Sequence, residues 1–299
     1  MDQVKIGVMA PFVDGLITSG PFLQELVGTL DECGVESVWT VEHVIVAEDY
    51  EPLYPYSADG RMVSGAGRVP MPDPLELLAF MACASPTLRL GTSVVVAPLH
   101  SPAVLAKRAA TLERISGGRL MLGLGIGWQR EEYAAVGVPY SDRGRRLEEC
   151  IEAMRALWSE HPASYHGRHV SFDRVHSVPA PSRPVPIVLG GHSEAAVRRA
   201  GRMAEGWFPF TITAEEFETS AALLREVAGS CGRPADAVEI TAWPGSVDPG
   251  SERSVGWVRR FVDAGASRLV VRVAITRPDQ LGELRDGLLR YREEVLDRL

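Results

Sequence analysis

Short apolar runs alternate with longer amphipathic segments along the whole chain. Runs rich in Val, Leu and Ile, such as Lys5–Ala10 and Leu88–Val96, predict strands that are buried on both faces. Between these runs the apolar residues recur at helical spacing, and Leu147, Ile151 and Met154 mark one such helix. Eight strand–helix pairs follow one another in a chain of 299 residues, and this order predicts an α/β fold, the (β/α)8 TIM barrel.

A doubly wound parallel sheet is the competing fold for alternating strands and helices. That fold binds a dinucleotide through a G-x-G-x-x-G turn after its first strand. The corresponding segment, Gly7-Val8-Met9-Ala10-Pro11, has no such turn. We therefore expect a single barrel domain over residues 1–299, with insertions after strand 2 and before strand 5.

The two insertions lie at about 47–72 and 161–186. The first has no period, contains four prolines and three of the seven tyrosines, and follows strand 2 at the end of the barrel where active sites lie. We interpret it as a wall of the substrate pocket, and a surface excursion is the alternative. The second is interpreted as a hairpin or strand insertion that turns at Gly167.

Charge and composition narrow the functional classes. A net charge of −8 argues against nucleic-acid binding, and the apolar runs fall short of the ~20 residues of a membrane span. The N-terminus lacks a signal peptide and the four cysteines are widely spaced, so we expect a cytoplasmic protein with free thiols. Histidines at 161, 166, 169 and 176 suggest a metal cluster, but a hairpin would scatter them, so no metal site is predicted.

The end of strand 2 carries the first candidate catalytic residues, Glu42 and His43. An imidazole beside a carboxylate at a barrel strand end could donate a proton or contact a cofactor ring. The alternative is a buried histidine that is hydrogen-bonded to the backbone. Since strand neighbours alternate between faces, only one of the pair can face inward, and a turn after the strand could redirect His43.

Strand 4 ends in a glycine-rich segment that predicts close approach of a ligand. Gly123, Gly125 and Gly127 fall on one face of the strand and leave no side chains there. A flat ring or a phosphate would use that space, and the alternative is tight packing where the barrel narrows. Trp128 adds an aromatic surface at the rim.

Strand 5 also ends in glycines, here a pair. Gly190, Gly191 and His192 run directly into a predicted helix. Glycines at a helix N-terminus expose backbone N–H groups to an anion, and late strand ends of barrels are frequent phosphate sites. We therefore predict that these three residues contact a cofactor phosphate.

Together these motifs resemble the luciferase-like monooxygenase superfamily, whose members use flavin or the deazaflavin coenzyme F420. The matching segments lie within residues 1–210 and are 37–43, 90–98, 105–108, 112–119, 123–128, 131–133, 137–139 and 143–144. The resemblance implies a ring bound at the C-terminal mouth of the barrel. It also implies a non-prolyl cis peptide at Ser93–Val94 against the ring, His43 beside the reactive ring, and Gly190 and Gly191 at the phosphate.

Within the superfamily the chain resembles the F420-dependent branch found in actinobacteria. A source of that kind agrees with the basic residues, because only Lys5 and Lys107 among the 31 are lysines. Sugar-phosphate dehydrogenases of this branch carry a catalytic Glu where this chain has Trp128, and substrate-binding lysines are scarce here. The resemblance therefore implies a less polar substrate, such as an unsaturated or carbonyl compound.

Three functional hypotheses follow from the resemblance. The first is an oxidoreductase that uses F420 for hydride transfer to or from a small organic substrate. The second is an FMN-dependent monooxygenase that uses O2 and reduced flavin from a separate reductase, and the third is a non-catalytic flavin-binding relative. Because the family commonly forms dimers, a homodimer is expected, without a nucleic-acid or membrane partner.

Overall fold

The computed structural model describes residues 4–62, 66–246 and 254–299. Its strands are β1 (Lys5–Met9), β2 (Ser37–Thr40), β3 (Arg89–Thr92), β4 (Val95–Val96), β5 (Leu120–Gly125), β6 (Ala163–His166), β7 (Ser171–Val175), β8 (Ile187–Gly190), β9 (Gly206–Phe208), β10 (Glu239–Ser246) and β11 (Ala266–Arg272). Its helices are α1 (Gly20–Glu32), α2 (Pro74–Ala84), α3 (Pro102–Ile115), α4 (Arg130–Ala135), α5 (Arg143–Ser159), α6 (Glu194–Met203), α7 (Ala214–Ser230), α8 (Val255–Asp263) and α9 (Leu281–Glu294).

Eight parallel strands close into the predicted barrel. The hydrogen-bonded order is β1, β2, β3, β5, β8, β9, β10 and β11, and β11 pairs with β1 to complete the ring. The short strand β4 follows β3 and pairs with the end of β5. The (β/α)8 fold is thus confirmed, and the C-terminal ends of all eight strands meet at one mouth.

Because the barrel strands are buried on both faces, the protein has two cores. A small one lies inside the barrel, and a large one lies between the strands and the helices. In β5, Leu120, Leu122 and Leu124 pack outward in the large core that includes the helices, whereas Met121 belongs to a small inner core. The inner core consists of Met9, Trp39, Met121, Val188, Phe208 and Val270.

Trp39 dominates the inner core, and two neighbouring strands carry glycine to make room for it. A Cβ atom on Gly7 would lie 2.8 Å from Trp39 Nε1, and one on Gly91 would lie 2.4 Å from the ring. A larger residue at either position would therefore collide with the indole. These two glycines are explained by packing.

The opposite end of the barrel is closed by charged residues at the beginnings of the strands. We call Lys5, Glu36, Glu239 and Arg268 the basal charge cluster. The Arg268 side chain is 1% exposed and donates to Glu36 Oε1 at 2.7 Å and to Glu239 Oε2 at 2.8 Å. Lys5 Nζ reaches the other oxygen of Glu239 at 2.6 Å. The buried guanidinium is therefore paired on both sides, as a buried charge requires.

Both insertions occur where they were expected. The second forms the predicted hairpin, in which β6 and β7 pair antiparallel around Gly167. The first has little regular structure beyond a 3-10 turn at Ala66–Arg68, and its residues 63–65 lie outside the described part. Within the described part of the chain, no helix combines the length and the apolar character needed to cross a bilayer.

The structure differs from the predicted elements at two places. The predicted strand Leu88–Val96 is split into β3 and β4 at Ser93 and Val94, although the Ser93 N–H still donates to Thr40 O of β2 at 2.6 Å. Helix α4 was not predicted, and it carries Glu131 and Glu132 in its first turn, where carboxylates favour a helix N-terminus.

Candidate active site at the barrel mouth

His43 is held at the mouth by a buried carboxylate from helix α4. Its Nδ1 atom lies 3.1 Å from Glu132 Oε2, and the Glu132 side chain is fully buried. The other oxygen, Oε1, accepts the backbone N–H of Val44 at 2.6 Å. Since an ionised carboxylate only accepts hydrogen bonds, Nδ1 carries a proton and Nε2 is the ring nitrogen available to a ligand.

Glu42 points to a different set of partners. Its Oε2 accepts the N–H of Val96 at 2.6 Å, and its Oε1 lies 3.0 Å from Nε2 of His100. The two adjacent residues follow the end of β2 at Thr40 and contact different neighbours. These contacts make Glu42 a residue that fixes β4 and the turn after it, and a direct catalytic role for it remains a prediction.

The segment between β3 and β4 projects into the mouth against glycines of two other strands. The Ser93–Val94 peptide bond is cis, as the resemblance implied. A Cβ atom on Gly125 would lie 2.5 Å from Val94 Cγ2, and one on Gly190 would lie 2.9 Å from Val94 Cγ1. Both glycines thus admit the Val94 side chain of this chain itself, so tight packing accounts for their lack of side chains.

Gly127, two residues after Gly125, also makes room for a nearby side chain. It has a positive φ of 63°, and a Cβ atom there would lie 2.7 Å from Cγ1 of Val96. The alternation of glycines in this segment therefore reflects the close passage of the β3–β4 segment. Its contact with a cofactor remains a prediction.

The start of helix α6 forms the second part of the mouth. Gly191 adopts a φ of 87°, and its carbonyl accepts a hydrogen bond from Trp207 Nε1 at 2.9 Å. Ser193 then caps the helix through a bond from the N–H of Ala196. This geometry fixes the Gly190–His192 segment in front of a helix N-terminus, the environment that favours an anion.

Buried polar atoms without partners show that the mouth can take a polar ligand. Within the described residues, His192 Nδ1 and Gln129 Nε2 are buried and make no hydrogen bond. Unpaired buried polar groups are costly unless a ligand satisfies them. The residues present therefore fit a heteroaromatic cofactor with an anionic tail.

The first insertion supplies an aromatic wall at this mouth. We define the mouth aromatic arc as Tyr50, Tyr54, Tyr56, Trp128, Phe210 and Trp243. Trp128 contacts the rings of His43, Tyr50 and Tyr54 at centroid distances of 5.9, 5.1 and 5.3 Å.

Along the rest of the arc, Tyr56 meets Phe210 at 4.9 Å and His192 at 5.9 Å. Phe210 in turn meets Trp243 at 5.1 Å. The arc therefore runs from the end of β2 to β10. These contacts support the pocket-wall interpretation of the insertion over a surface excursion.

The arc is uncharged at physiological pH. Burial raises the pKa of Tyr56 to about 12, and it also raises the pKa of Tyr54. Both phenols remain protonated and can donate hydrogen bonds. A bound molecule thus meets an apolar, neutral wall with a few hydroxyl groups.

The structure assembles most of the predicted site residues at this one mouth. The assembled residues are His43, Ser93, Val94, Gly125, Gly127, Trp128, Gly190, Gly191 and His192. Glu42 lies behind them, next to Val96. Among the described residues, no group of three or more His, Cys, Asp or Glu side chains could hold a metal ion.

Sequence reasoning missed Glu132 and His100, the partners of the two candidate catalytic residues. Glu132 is 89 positions from His43, and His100 is 58 positions from Glu42. A usable signal was present for Glu132, because two consecutive glutamates follow the glycine-rich segment in the first turn of a short helix. No local pattern marked His100.

Comparison with known proteins places the chain in a family. Residues 4–294 match the model of the luciferase-like monooxygenase family. The chain belongs to this family. The match spans all eight barrel strands, so it also covers residues 211–294, where the sequence resemblance was limited to the rhythm of strands and helices.

Three known proteins illustrate the range of relatives. The chain is 30% identical over 217 residues to an F420-dependent glucose-6-phosphate dehydrogenase of Kineococcus radiotolerans, covering 71% of this chain and 59% of that protein. It is similar in fold to the F420-dependent tetrahydromethanopterin reductase of Methanopyrus kandleri (TM-score 0.75, 17% identity, 99% of both chains). It is also similar in fold to a long-chain alkane monooxygenase (TM-score 0.79, 14% identity, 98% of this chain and 92% of that chain).

Proposed function

We propose that this protein is an oxidoreductase that uses coenzyme F420 for hydride transfer to or from a small, weakly polar organic substrate. The observation that carries the proposal is the sequence similarity to the F420-dependent dehydrogenase of Kineococcus radiotolerans. The mouth adds physical support, because it combines a helix N-terminus for an anion with a wall for a flat ring.

The proposal assigns the predicted cofactor-binding residues to two ends of the cofactor. Ser93, Val94 and Trp128 would line the ring. The Gly190–His192 segment would hold the phosphate, and the unpartnered His192 Nδ1 would then gain a partner. A helix N-terminus suits this end because its free N–H groups and its dipole favour an anionic phosphate.

When bound, F420 supplies a ring carbon that gives or accepts a hydride. Because Glu132 Oε2 accepts the proton of His43 Nδ1, Nε2 is the ring nitrogen left for a ligand. A neutral His43 could accept the proton that accompanies hydride transfer at this nitrogen, and a doubly protonated His43 could donate it or polarise a substrate carbonyl. The mouth aromatic arc would exclude water from the reacting centre.

We infer the substrate class from the aromatic wall and from the absence of a glutamate at the position of Trp128. Trp128 stands where the resemblance expects the catalytic Glu of sugar-phosphate dehydrogenases, and it packs against Tyr50 and Tyr54. A sugar phosphate would find aromatic rings in place of a carboxylate there. We therefore propose an unsaturated or carbonyl compound as the substrate.

An FMN-dependent monooxygenase is the second candidate. It is favoured by the fold similarity to the long-chain alkane monooxygenase, since both activities occur on this barrel. Such an enzyme would need reduced flavin from a separate reductase. The apolar wall of the mouth would suit a hydrophobic substrate in either case.

Paired binding titrations of the purified protein with F420 and with FMN test the proposal. Each titration follows cofactor fluorescence under identical buffer and ionic strength. We expect F420 to bind at least about tenfold more tightly than FMN, a difference of about 1.4 kcal/mol. Tight FMN binding without F420 binding would overturn the proposal and leave the monooxygenase as the better candidate.

Turnover separates an enzyme from a non-catalytic relative. Reduced F420 is mixed with a panel of α,β-unsaturated and simple carbonyl compounds, and its reoxidation is followed by absorbance under anaerobic conditions. We expect at least one compound to accelerate the reoxidation. Tight F420 binding without acceleration by any compound, in either reaction direction, would contradict the proposed activity.

A further inference from the structure

A cavity of about 310 Å³ lies apart from the residues assigned to the mouth. It is enclosed by the turn after β4, the first residues of α3, the loop before α5, one side of α5 and the tip of the β6–β7 hairpin. Its polar lining consists of His100, Ser101, Arg146, Cys150 and His169. The volume falls at the lower end of the range for small-molecule pockets, about 300–1,000 Å³.

His169 is a buried imidazole with an unused nitrogen at this cavity. Its side chain is 8% exposed, and its Nε2 atom makes no hydrogen bond. The nearby carboxylate oxygen, Asp142 Oδ2, lies 3.9 Å away, which is beyond hydrogen-bond distance. The backbone N–H of His169 is bonded to Glu149 at 2.7 Å, which fixes the hairpin tip in place.

Arg146 contributes a positive charge to the same lining. Its Nε atom is buried without a hydrogen-bond partner, and within the described part of the chain its guanidinium forms no ion pair. Arg143, three positions earlier on this helix, also has a buried Nε without a partner, but its guanidinium donates to Tyr140 O at 3.2 Å, stacks on the Tyr140 ring and does not line the cavity. A buried guanidinium nitrogen without a partner is costly, and an anion in the cavity would supply that partner.

The rest of the lining does not compensate this charge. The described lining residues include no Asp or Glu. Burial raises the pKa of Cys150 to about 12, so its thiol is neutral at physiological pH. His100 faces the cavity while its Nε2 is bonded to Glu42, which leaves that carboxylate on the far side of the imidazole.

The N-terminus of α3 adds free backbone donors at the edge of the cavity. Ser101 is the N-cap of this 14-residue helix, and its side chain makes no capping hydrogen bond. The first N–H groups of α3 are therefore not satisfied by the cap, and the helix dipole favours negative charge there. The helix N-terminus belongs to a different element from Arg146 and His169, and like them it favours a bound anion.

We propose that this cavity is a binding site for a small oxyanion, a phosphate or a carboxylate, held by Arg146 and by His169 Nε2. The site is distinct from the cofactor phosphate position at the Gly190–His192 segment. His100 lines this cavity and its Nε2 also bonds Glu42, so a single residue would connect the bound anion with Glu42 behind the mouth.

The test is isothermal titration of the full-length protein, without cofactor, with inorganic phosphate and separately with succinate. The wild-type chain is compared with Arg146→Gln and with Arg145→Gln, a matched variant that removes an exposed charge one position away on the same helix. We expect saturable 1:1 binding of at least one anion. Arg146→Gln should weaken it by at least about tenfold and Arg145→Gln by less than about twofold.

His169→Asn keeps the proposal testable if Arg146→Gln fails to fold. This variant removes the imidazole and should also weaken binding, with circular dichroism showing the wild-type fold. Preference for phosphate or for succinate identifies the source of the oxyanion. Equal weakening by Arg145→Gln and Arg146→Gln, or no saturable binding of either anion up to about 10 mM, would overturn the proposal.

Discussion

The two ends of the barrel use polar groups in opposite ways. At the base, Arg268 is buried and every charge around it is paired, so this end is complete without a ligand. At the mouth, His192 and Gln129 keep buried polar atoms without partners beside an aromatic wall. The buried charges of the base thus have their partners within the protein, whereas buried polar atoms at the mouth are left for a ligand.

The basal charge cluster has the electrostatic properties of a structural element. Desolvation opposes the charge on Glu239, but Arg268 and Lys5 outweigh it and hold its pKa at about 2. Arg268 likewise lowers the pKa of Glu36. Both shifts favour the ionised carboxylates at neutral pH, where neither can serve as a general acid.

Arg268→Met disrupts the basal charge cluster and should have the largest effect on stability. It leaves Glu36 and Glu239 without their buried partner, and removal of one member of a buried ion pair costs about 3–5 kcal/mol. Urea denaturation followed by circular dichroism measures the loss. Arg285→Met removes a charge from an exposed pair and serves as the control; equal, small effects of the two variants would contradict a structural role of the base.

His43→Ala breaks the mouth and should separate activity from stability. The variant removes the proposed proton donor, and loss of such a group lowers kcat by about 10²–10⁴-fold. The urea midpoint should fall less than in Arg268→Met, because the buried Glu132 loses its imidazole partner but keeps the N–H of Val44, and turnover is compared on the folded protein. His176→Ala, at an exposed position outside the mouth, is the control. Wild-type turnover of His43→Ala would remove His43 from the chemistry.

Low pH should weaken the basal charge cluster over a defined pH range. Because the pKa of Glu239 is lower in the folded chain than its ordinary value of 4.5, its contribution to stability is fully present above pH 4.5 and is lost as the pH falls toward 2. A shift of this size contributes on the order of 3 kcal/mol. Unfolding free energies measured between pH 6 and about pH 2.5 should fall for the wild type, and Arg268→Met should show a clearly shallower dependence.

Tyr56→Ala should have the smallest of these effects. It removes a ring that contacts both Phe210 and His192, so the pocket wall is opened while the proposed proton donor remains. We expect KM to rise by about tenfold with kcat changed less, as for the loss of an apolar contact worth about 1–1.5 kcal/mol. Tyr165→Ala on the hairpin is the control, and an equal rise in KM for both variants would show that the arc does not form the wall.

The sequence predicted the mouth better than the base, and the reason is physical. Gly125, Gly190 and His43 stand at strand ends, and all parallel strands of a barrel end at one mouth, so local patterns were enough to bring them together. The partners of Arg268 come from 232 and 29 positions away. Ion pairs between distant segments leave no local pattern.

The glycines show a second limit of sequence reasoning. Their spacing predicted a close approach at the end of β5, and the structure contains one. The approaching group is Val94 of the same chain, on the segment between β3 and β4. Apolar periodicity continued through Ser93 and Val94 and predicted one strand, because the interruption depends on tertiary contacts with Gly125 and Gly190.

A crystal structure of the protein in complex with F420 tests the central claim most directly. We predict the ring at the barrel mouth beside His43 and Val94, and the phosphate at the start of α6 within hydrogen-bond distance of the Gly190–His192 segment. We also predict the same paired contacts of Arg268 as in the free protein. A ring bound away from the mouth, or a phosphate held elsewhere while His192 Nδ1 stays without a partner, would contradict this claim.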